Sequence, residues 1–187
     1  MWRDPDRRQS YSLEHTVVTN GETIAALFQG DAGIRTDHEN DYTYQMDFVE
    51  DGTPEDGVSA QKLTVSFSRY KTGIFTYDAI SGLYLAEEFG KPYIDGNTGE
   101  QVGVTNVIII RTVCRSTGDS YDHITVDLSS GGSGYFACGG KMEEITWQKS
   151  YPDGQLQYLD QTGKPITFGQ GHTYVNIVPL EAEITFE

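Results

Sequence analysis

Two cysteines, four histidines and 28 acidic side chains are the groups in this 187-residue chain with the most chemical potential. Cys114 precedes RSTG and Cys138 precedes GGK, each at the end of an expected strand. If those strands lie side by side, both sulfurs reach one sheet edge. A disulfide between Cys114 and Cys138 then requires Cα atoms within about 7 Å, and two unrelated buried thiols are the alternative. His123 opens the segment HITVDL. Pairing of that segment with either neighbour brings His123 to the same end as both cysteines, a Cys–His grouping that suits nucleophilic chemistry. A solvent-facing histidine at a strand start is the competing reading.

Other constellations are weaker. The serines of SSGGSG lack a G-x-S-x-G elbow and run into a strand, so the glycines read as a turn or bulge. The histidines and cysteines lack the spacing of a zinc site. DHENDY, VEDGTPEDG and DGNTGE do not place oxygen ligands as a calcium loop requires. No metal or cofactor is expected. No two of the acids are marked as a glycosidase pair.

The aromatics carry more information. Twelve tyrosines and two tryptophans combine apolar faces with a polar handle, which suits glycan or peptide binding as well as an ordinary sheet. Tyr93 and Asp95 in the long turn GKPYIDGNTGEQ, with Trp147, His123 and Asp127, are the binding candidates. Thirteen basic against 28 acidic residues leave a net charge of −15, which disfavours nucleic acid and anionic lipid. A cationic partner, a cation or a neutral ligand fits better. The longest apolar run is Val107 to Ile110, too short to span a bilayer. The opening MWRDPDRR lacks an apolar core, so no signal peptide is expected in it.

These residues must be positioned by strands. LTVSFSRY alternates Leu63, Val65 and Phe67 with polar residues, the period of a half-buried strand. IFTYD and LYLAEEF continue it as a meander. NVIIIRTVC is apolar on both faces at its centre and reads as a central strand. GYFAC and KMEEITWQK form a hairpin across Gly139-Gly140. YTYQMDFV, HITVDL, HTYVNIV and EAEITFE read as further strands, with turns at YPDGQ and DQTGKP. One short helix is expected over TNGETIAALF, with Thr19 as N-cap, Glu22 completing a capping box and Gly30 at its end. The expected class is mainly β: antiparallel sheets of short hairpins and meanders with one short N-terminal helix.

The motifs FSRYKTGIFTYDAISGLYL, GKPYIDGNTGEQVGVTNVII, VDLSSGGSGYFACGGKMEEITWQK and GHTYVNIVP, with the opening WRDPDRR…YSLEHTVVTNGE, resemble the YerB-type bacterial lipoproteins. The resemblance implies a Gram-positive, extracytoplasmic protein, held at the membrane only by a lipid on its full-length form, and of uncharacterised function. It implies that 1–30 is the tail of an N-terminal domain or a connecting segment, and that 31–187 is a mainly-β C-terminal domain. Matching positions are Arg3, Asp4, Arg8, His15, Tyr77, Asp78, Asp95, Asn106, Gly134, Trp147 and Asn176. Tyr93 departs from the family, which often has histidine there.

The expected function is a non-catalytic envelope module that binds a cell-wall glycan or peptide, or another envelope protein. The alternative is a wall-modifying enzyme with a site near His123, Asp127 and Cys138.

Overall fold

The structure, a computed structural model, describes residues 1–30, 33–35, 37, 46–151 and 154–187. It divides into two compact units, Met1–Tyr44 and Gln45–Glu187. In the first, β1 (Trp2–Arg3) pairs antiparallel with β2 (Val17–Val18), and helix α1 (Gly21–Gln29) follows. The N-cap is Asn20 rather than Thr19. Its side-chain oxygen accepts from the Thr23 N–H at 2.9 Å, and an asparagine caps at least as well as a threonine. Gly30 ends the helix as expected, its N–H donating to Ala26 O at 3.0 Å.

The second unit holds β3 (Asp47–Val49), β4 (Val58–Ser59), β5 (Lys62–Ser66), β6 (Thr72–Asp78), β7 (Leu83–Glu88), β8 (Lys91–Pro92), β9 (Gly103–Val104) and β10 (Asn106–Thr112). It continues with β11 (Cys114–Ser116), β12 (Ile124–Val126), β13 (Gly132–Cys138), β14 (Lys141–Lys149), β15 (Leu156–Leu159), β16 (Thr167–Gly169), β17 (Thr173–Pro179) and β18 (Ile184–Phe186). The expected YTYQMDFV strand survives as β3, and its residues 42–45 lie outside the described residues, as do 38–42 of DHENDY and 152–153 of the YPDGQ turn.

The fold is mainly β. One sheet runs β15-β14-β13-β10-β17, with β4 also on β14. The other runs β18-β5-β6-β7-β8, with β9 also on β7. The β5–β6–β7 meander follows the alternation read from the sequence. Leu63, Val65, Phe75, Tyr84 and Ala86 point into a core shared with Val107, Ile109 and Met142 of the first sheet. The opposite face of that sheet buries Ile108, Ile110, Phe136, Ile145 and Trp147 against Ile166 and Phe168. The apolar run of β10 is thereby explained. Its alternate residues serve two cores, and each fully buried aliphatic side chain contributes about 1.5–3 kcal/mol.

Gly139 and Gly140, with φ of 59° and 75°, make the tight β13–β14 turn. That backbone is open to glycine and strained for other residues. Among the described residues two pairings are parallel, β10 with β17 and β16 with β3. Local alternation does not report them, because a parallel neighbour arrives through a long crossover.

Of the two readings of the cysteines, the unbonded one holds: Cys114 and Cys138 are both free thiols. The strands ending in these residues do run side by side, but antiparallel. Cys138 pairs with Asn106 at the start of β10, whereas Cys114 follows the end of β10. The eight residue steps from position 106 to 114 separate the two ends by about 26 Å, far beyond disulfide reach.

Candidate functional site

The sequence candidates scatter over the second unit. Trp147 is only 2% exposed, and its indole N–H donates to Arg111 O at 3.0 Å. It is a core residue, and the reading of Trp147 as a ligand contact is corrected by its burial. Asp95 turns inward on its own loop, accepting from the N–H groups of Asn97 and Thr98, both at 2.8 Å. Those bonds lower its pKa. Tyr93 is 44% exposed beside that loop.

His123, Asp127 and Cys138 do not converge. His123 sits at the far end of the β11–β12 hairpin, where its Nδ1 lies 2.7 Å from Asp119 Oδ2. Bonds from Thr117, His123 and Tyr121 hold the Asp119 carboxyl down at about 2. Asp127 organises the next turn, accepting from Ser129 N–H at 2.8 Å and Ser129 hydroxyl at 2.7 Å. Cys138 is buried at the opposite end of β10, and desolvation raises its thiol above the ordinary value, away from the thiolate a nucleophile needs. Among the described residues, no group of three or more His, Cys, Asp or Glu side chains is placed to hold a metal ion.

A polar cluster ties the two sheets together. Tyr174 of β17 donates its hydroxyl to Glu88 of β7 at 2.7 Å, and Lys71 Nζ lies 3.1 Å from the same carboxylate oxygen. The Tyr174 hydroxyl, then Lys71, lower the Glu88 pKa, while burial raises that of Tyr174. The three groups are partners of one another across the two sheets, which marks a clamp more than a ligand site.

Two concavities flank an interruption in a sheet edge. On its outer side β14 pairs with β4 at Lys141 and Met142 and with β15 from Thr146 to Lys149. Between them, among the described residues, Glu143, Glu144 and Ile145 have no strand opposite, and the turn after β15 passes beside them. The two-residue turn at Gly139-Gly140 fixes which backbone groups point there. With Cys138 and Lys141 flanking the turn, the groups of Glu143 face β13 and those of Glu144 face outward. Gln161 confirms the direction, donating its side-chain N–H to Glu144 O at 3.0 Å.

Two cavities flank this gap. One, of about 440 Å³, is lined by Asp51, Glu55, Glu143 and Asp160 beside Ile166. The other, of about 530 Å³, has Val58, Met142 and Phe186 in its wall with Asp56 and Glu144. Glu143 and Asp160 belong to both. Val58 and Phe186 are 54% and 41% exposed, an apolar surface rimmed by carboxylates. Partial burial, then the charges of Asp160 and Asp56, raise the Glu143 pKa. Asp160 is held the other way by bonds from Thr162 and Lys164 N–H within its own turn. The two carboxyls are thus pushed in opposite directions, Asp160 toward its charged form and Glu143 away from it.

Sequence reading missed these carboxylates because nothing local distinguishes them among 28 acids. The available signal was register. With the β13–β14 turn at Gly139-Gly140 and the next turn after Lys149, Glu143 and Asp160 return to one edge.

Most motif positions behind the family resemblance hold the fold. Asp4 caps the turn at Asp6 and Arg7, at 2.8 and 3.2 Å, and Arg3 bonds Thr16 Oγ1 at 3.2 Å and Leu13 O. The Asn106 side chain bonds both O and N–H of Gly169, at 2.8 and 2.9 Å. Gly134 has no room for a side chain, since a Cβ there would lie 2.3 Å from Ile109 O. Asn176 donates to Ile108 O at 3.1 Å, and Asp78 accepts from Ile80 and Ser81 N–H in its turn.

Residues 63–175 match the sequence profile described as "Protein of unknown function (DUF3048) C-terminal domain". Among solved structures, the YerB protein from Bacillus subtilis is similar to this chain, with a TM-score of 0.73 and 24% identity over 98% of its residues. The chain spans 59% of that YerB chain. A search of curated proteins gave no match. The YerB-type resemblance read from the motifs agrees with both findings.

Proposed function

Because the chain belongs to the DUF3048 family through that C-terminal domain, whose function is uncharacterised, we propose a role from the geometry: a non-catalytic module of the cell envelope that binds another envelope protein, a peptide or a cell-wall component. The observation that carries it is the gap in the β14 edge, flanked by two carboxylate-lined cavities that share Glu143 and Asp160, one of which also exposes Val58, Met142 and Phe186. An open groove of mixed character suits capture of a chain-like partner. The net charge of −15 favours one that is neutral or cationic. The extracytoplasmic, lipid-anchored setting is supported by the family resemblance alone, since free thiols at opposite ends of a sheet speak for no compartment.

Immobilised chain is incubated with purified cell wall and, separately, with envelope extract. Retention that is lost in the double variant Glu143→Gln/Asp160→Asn is the expected result. No retention of either material at low or moderate salt contradicts the proposal. Protease treatment of intact cells carrying the full-length protein tests the location, and complete protection until lysis would contradict an extracytoplasmic place.

A further inference from the structure

We infer that the free edge of β17 takes an extended, uncharged, β-branched segment of a partner protein as an added antiparallel strand. This edge lies on the opposite side of the first sheet from β14 and β15, so the inference stands apart from the β14 gap. β17 is last in the order β15-β14-β13-β10-β17. At seven residues it is the longest strand at a sheet edge among the described residues. Its ladder with β10 fixes which backbone groups are free. Asn106 N–H donates to His172 O at 3.1 Å, so in this parallel register Tyr174, Asn176 and Val178 turn their backbone toward β10. Thr173, Val175 and Ile177 turn theirs outward. Among the described residues, no hydrogen bond reaches those outward groups.

Proteins guard such an edge with charge, proline, a bulge or a covering segment. From Pro165 to Leu180 this chain holds no Asp, Glu, Lys or Arg. Pro179 ends the strand and leaves Thr173 to Ile177 unguarded. Charge then selects the occupant. A second copy brings a further net charge of −15, which opposes self-pairing. An uncharged segment meets no such repulsion and is held by the ladder itself. Side chains set the rest. Partner residues opposite Thr173, Val175 and Ile177 exchange N–H and C=O bonds with them and project to the same face, where Val175 is 41% exposed. β-branched side chains fit that row of β-branched neighbours. The two residues between them project to the Tyr174 face. Lys71 and Glu88 are already paired there, so small polar side chains suit those positions. The recognised pattern is β-branched and polar in alternation over five residues.

The probe is an acetylated, amidated peptide with a Gly-Val-Thr-Val-Thr-Val-Gly core and a fluorescent tag, titrated by anisotropy. Binding is expected, weaker by roughly tenfold, about 1.4 kcal/mol, in each of two controls. One carries N-methyl-valine at the central position, which removes an N–H from the ladder. The other has the order Gly-Val-Val-Thr-Thr-Val-Gly, with equal composition. Val175→Pro deletes an outward N–H without removing a bond to β10, and Val175→Lys places a guarding charge on the edge. Both are expected to weaken binding at least tenfold, with circular dichroism confirming the fold; Val175→Lys decides the matter if the proline variant does not fold. Glu143→Gln/Asp160→Asn is expected to bind the peptide as wild type does. Loss of binding in that double variant instead moves the peptide to the β14 edge and overturns the inference. Hydrogen exchange gives the direct signature. In dilute free protein the Val175 and Ile177 amides should exchange faster than those of Tyr174 and Asn176, and peptide should slow them. Protection of Val175 and Ile177 without peptide means that the edge is already covered, and protection that grows with protein concentration means that a second copy covers it. Either result overturns the inference, as do equal affinity for all three peptides and the absence of binding.

Discussion

Replacing Tyr174 with phenylalanine removes one oxygen from the clamp between the two sheets and leaves its ring in place. The ring remains packed edge-on against Phe75 at 4.9 Å, so little apolar contact is lost. What disappears is the 2.7 Å bond to Glu88, whose side chain is 17% exposed and also pairs with Lys71. A hydrogen bond to a charged group contributes about 1.5–3 kcal/mol. Tyr174→Phe is therefore expected to lose about 2 kcal/mol near pH 7. With a urea slope of about 1–3 kcal/mol/M, that shifts the unfolding midpoint by roughly 1 M.

The effect also has a pH signature. The Glu88 pKa is lowered in the fold, chiefly by the Tyr174 hydroxyl. A lowered carboxyl stabilises the fold fully above its unfolded value of about 4.3, and this stabilisation fades as pH falls through the lowered folded value. The difference between wild type and Tyr174→Phe should therefore shrink toward acid. At low pH only a neutral bond remains, about 1 kcal/mol or less. Urea titrations of both proteins from pH 7 to pH 2 check this. A difference that is constant across the range, or absent at pH 7, refutes the clamp.

Other outcomes follow from the same geometry. Thiol titration of the native protein should find Cys114 reactive and Cys138 reactive only on unfolding, with both modified in denaturant; fewer than two thiols would signal a bond the structure does not contain. Gly140→Ala should destabilise more than Gly118→Ala. Both carry similar positive φ, 75° and 74°, which costs about 1–2 kcal/mol, but only at Gly140 does the new Cβ meet Gln61 and Tyr77 below 3 Å. Thermal melts decide that order. Trp147→Phe should lose roughly 2 kcal/mol, since it leaves a gap in the core and removes the donor to Arg111 O. Glu143→Gln should leave stability near pH 7 equal or higher, because a carboxyl with a raised pKa opposes folding once ionised and favours it only as pH falls.

Strands were legible in the sequence wherever burial imposed a period. Leu63, Val65 and Phe75 face one core, and alternation shows them plainly. The apolar run of β10 showed that both of its faces are buried but not which strand lies beside it. Its parallel neighbour β17 lies more than sixty positions away in sequence, and no local pattern encodes that pairing. HITVDL misled for a related reason. It alternates as a half-buried strand does, yet Ile124 and Val126 are 60% and 39% exposed on a two-stranded hairpin. Alternation reports compatibility with a covered face and cannot report whether anything covers it. The cysteines failed on direction, because adjacency of two strands without their sense leaves the two sulfurs either together or at opposite ends. The groove was invisible for a third reason: it is made by what β4 and β15 leave uncovered, and an absence between two short strands has no residue signature.

Retention of envelope material by wild type and by Glu143→Gln/Asp160→Asn, compared at matched fold stability and a single salt concentration, tests the central claim most directly. Binding through the β14 gap predicts that wild type retains material that the double variant releases, with a Tyr93→Ala variant behaving as wild type. Equal retention by wild type and the double variant, or loss in Tyr93→Ala instead, would contradict the groove and move the binding surface to the loop carrying Tyr93 and Asp95.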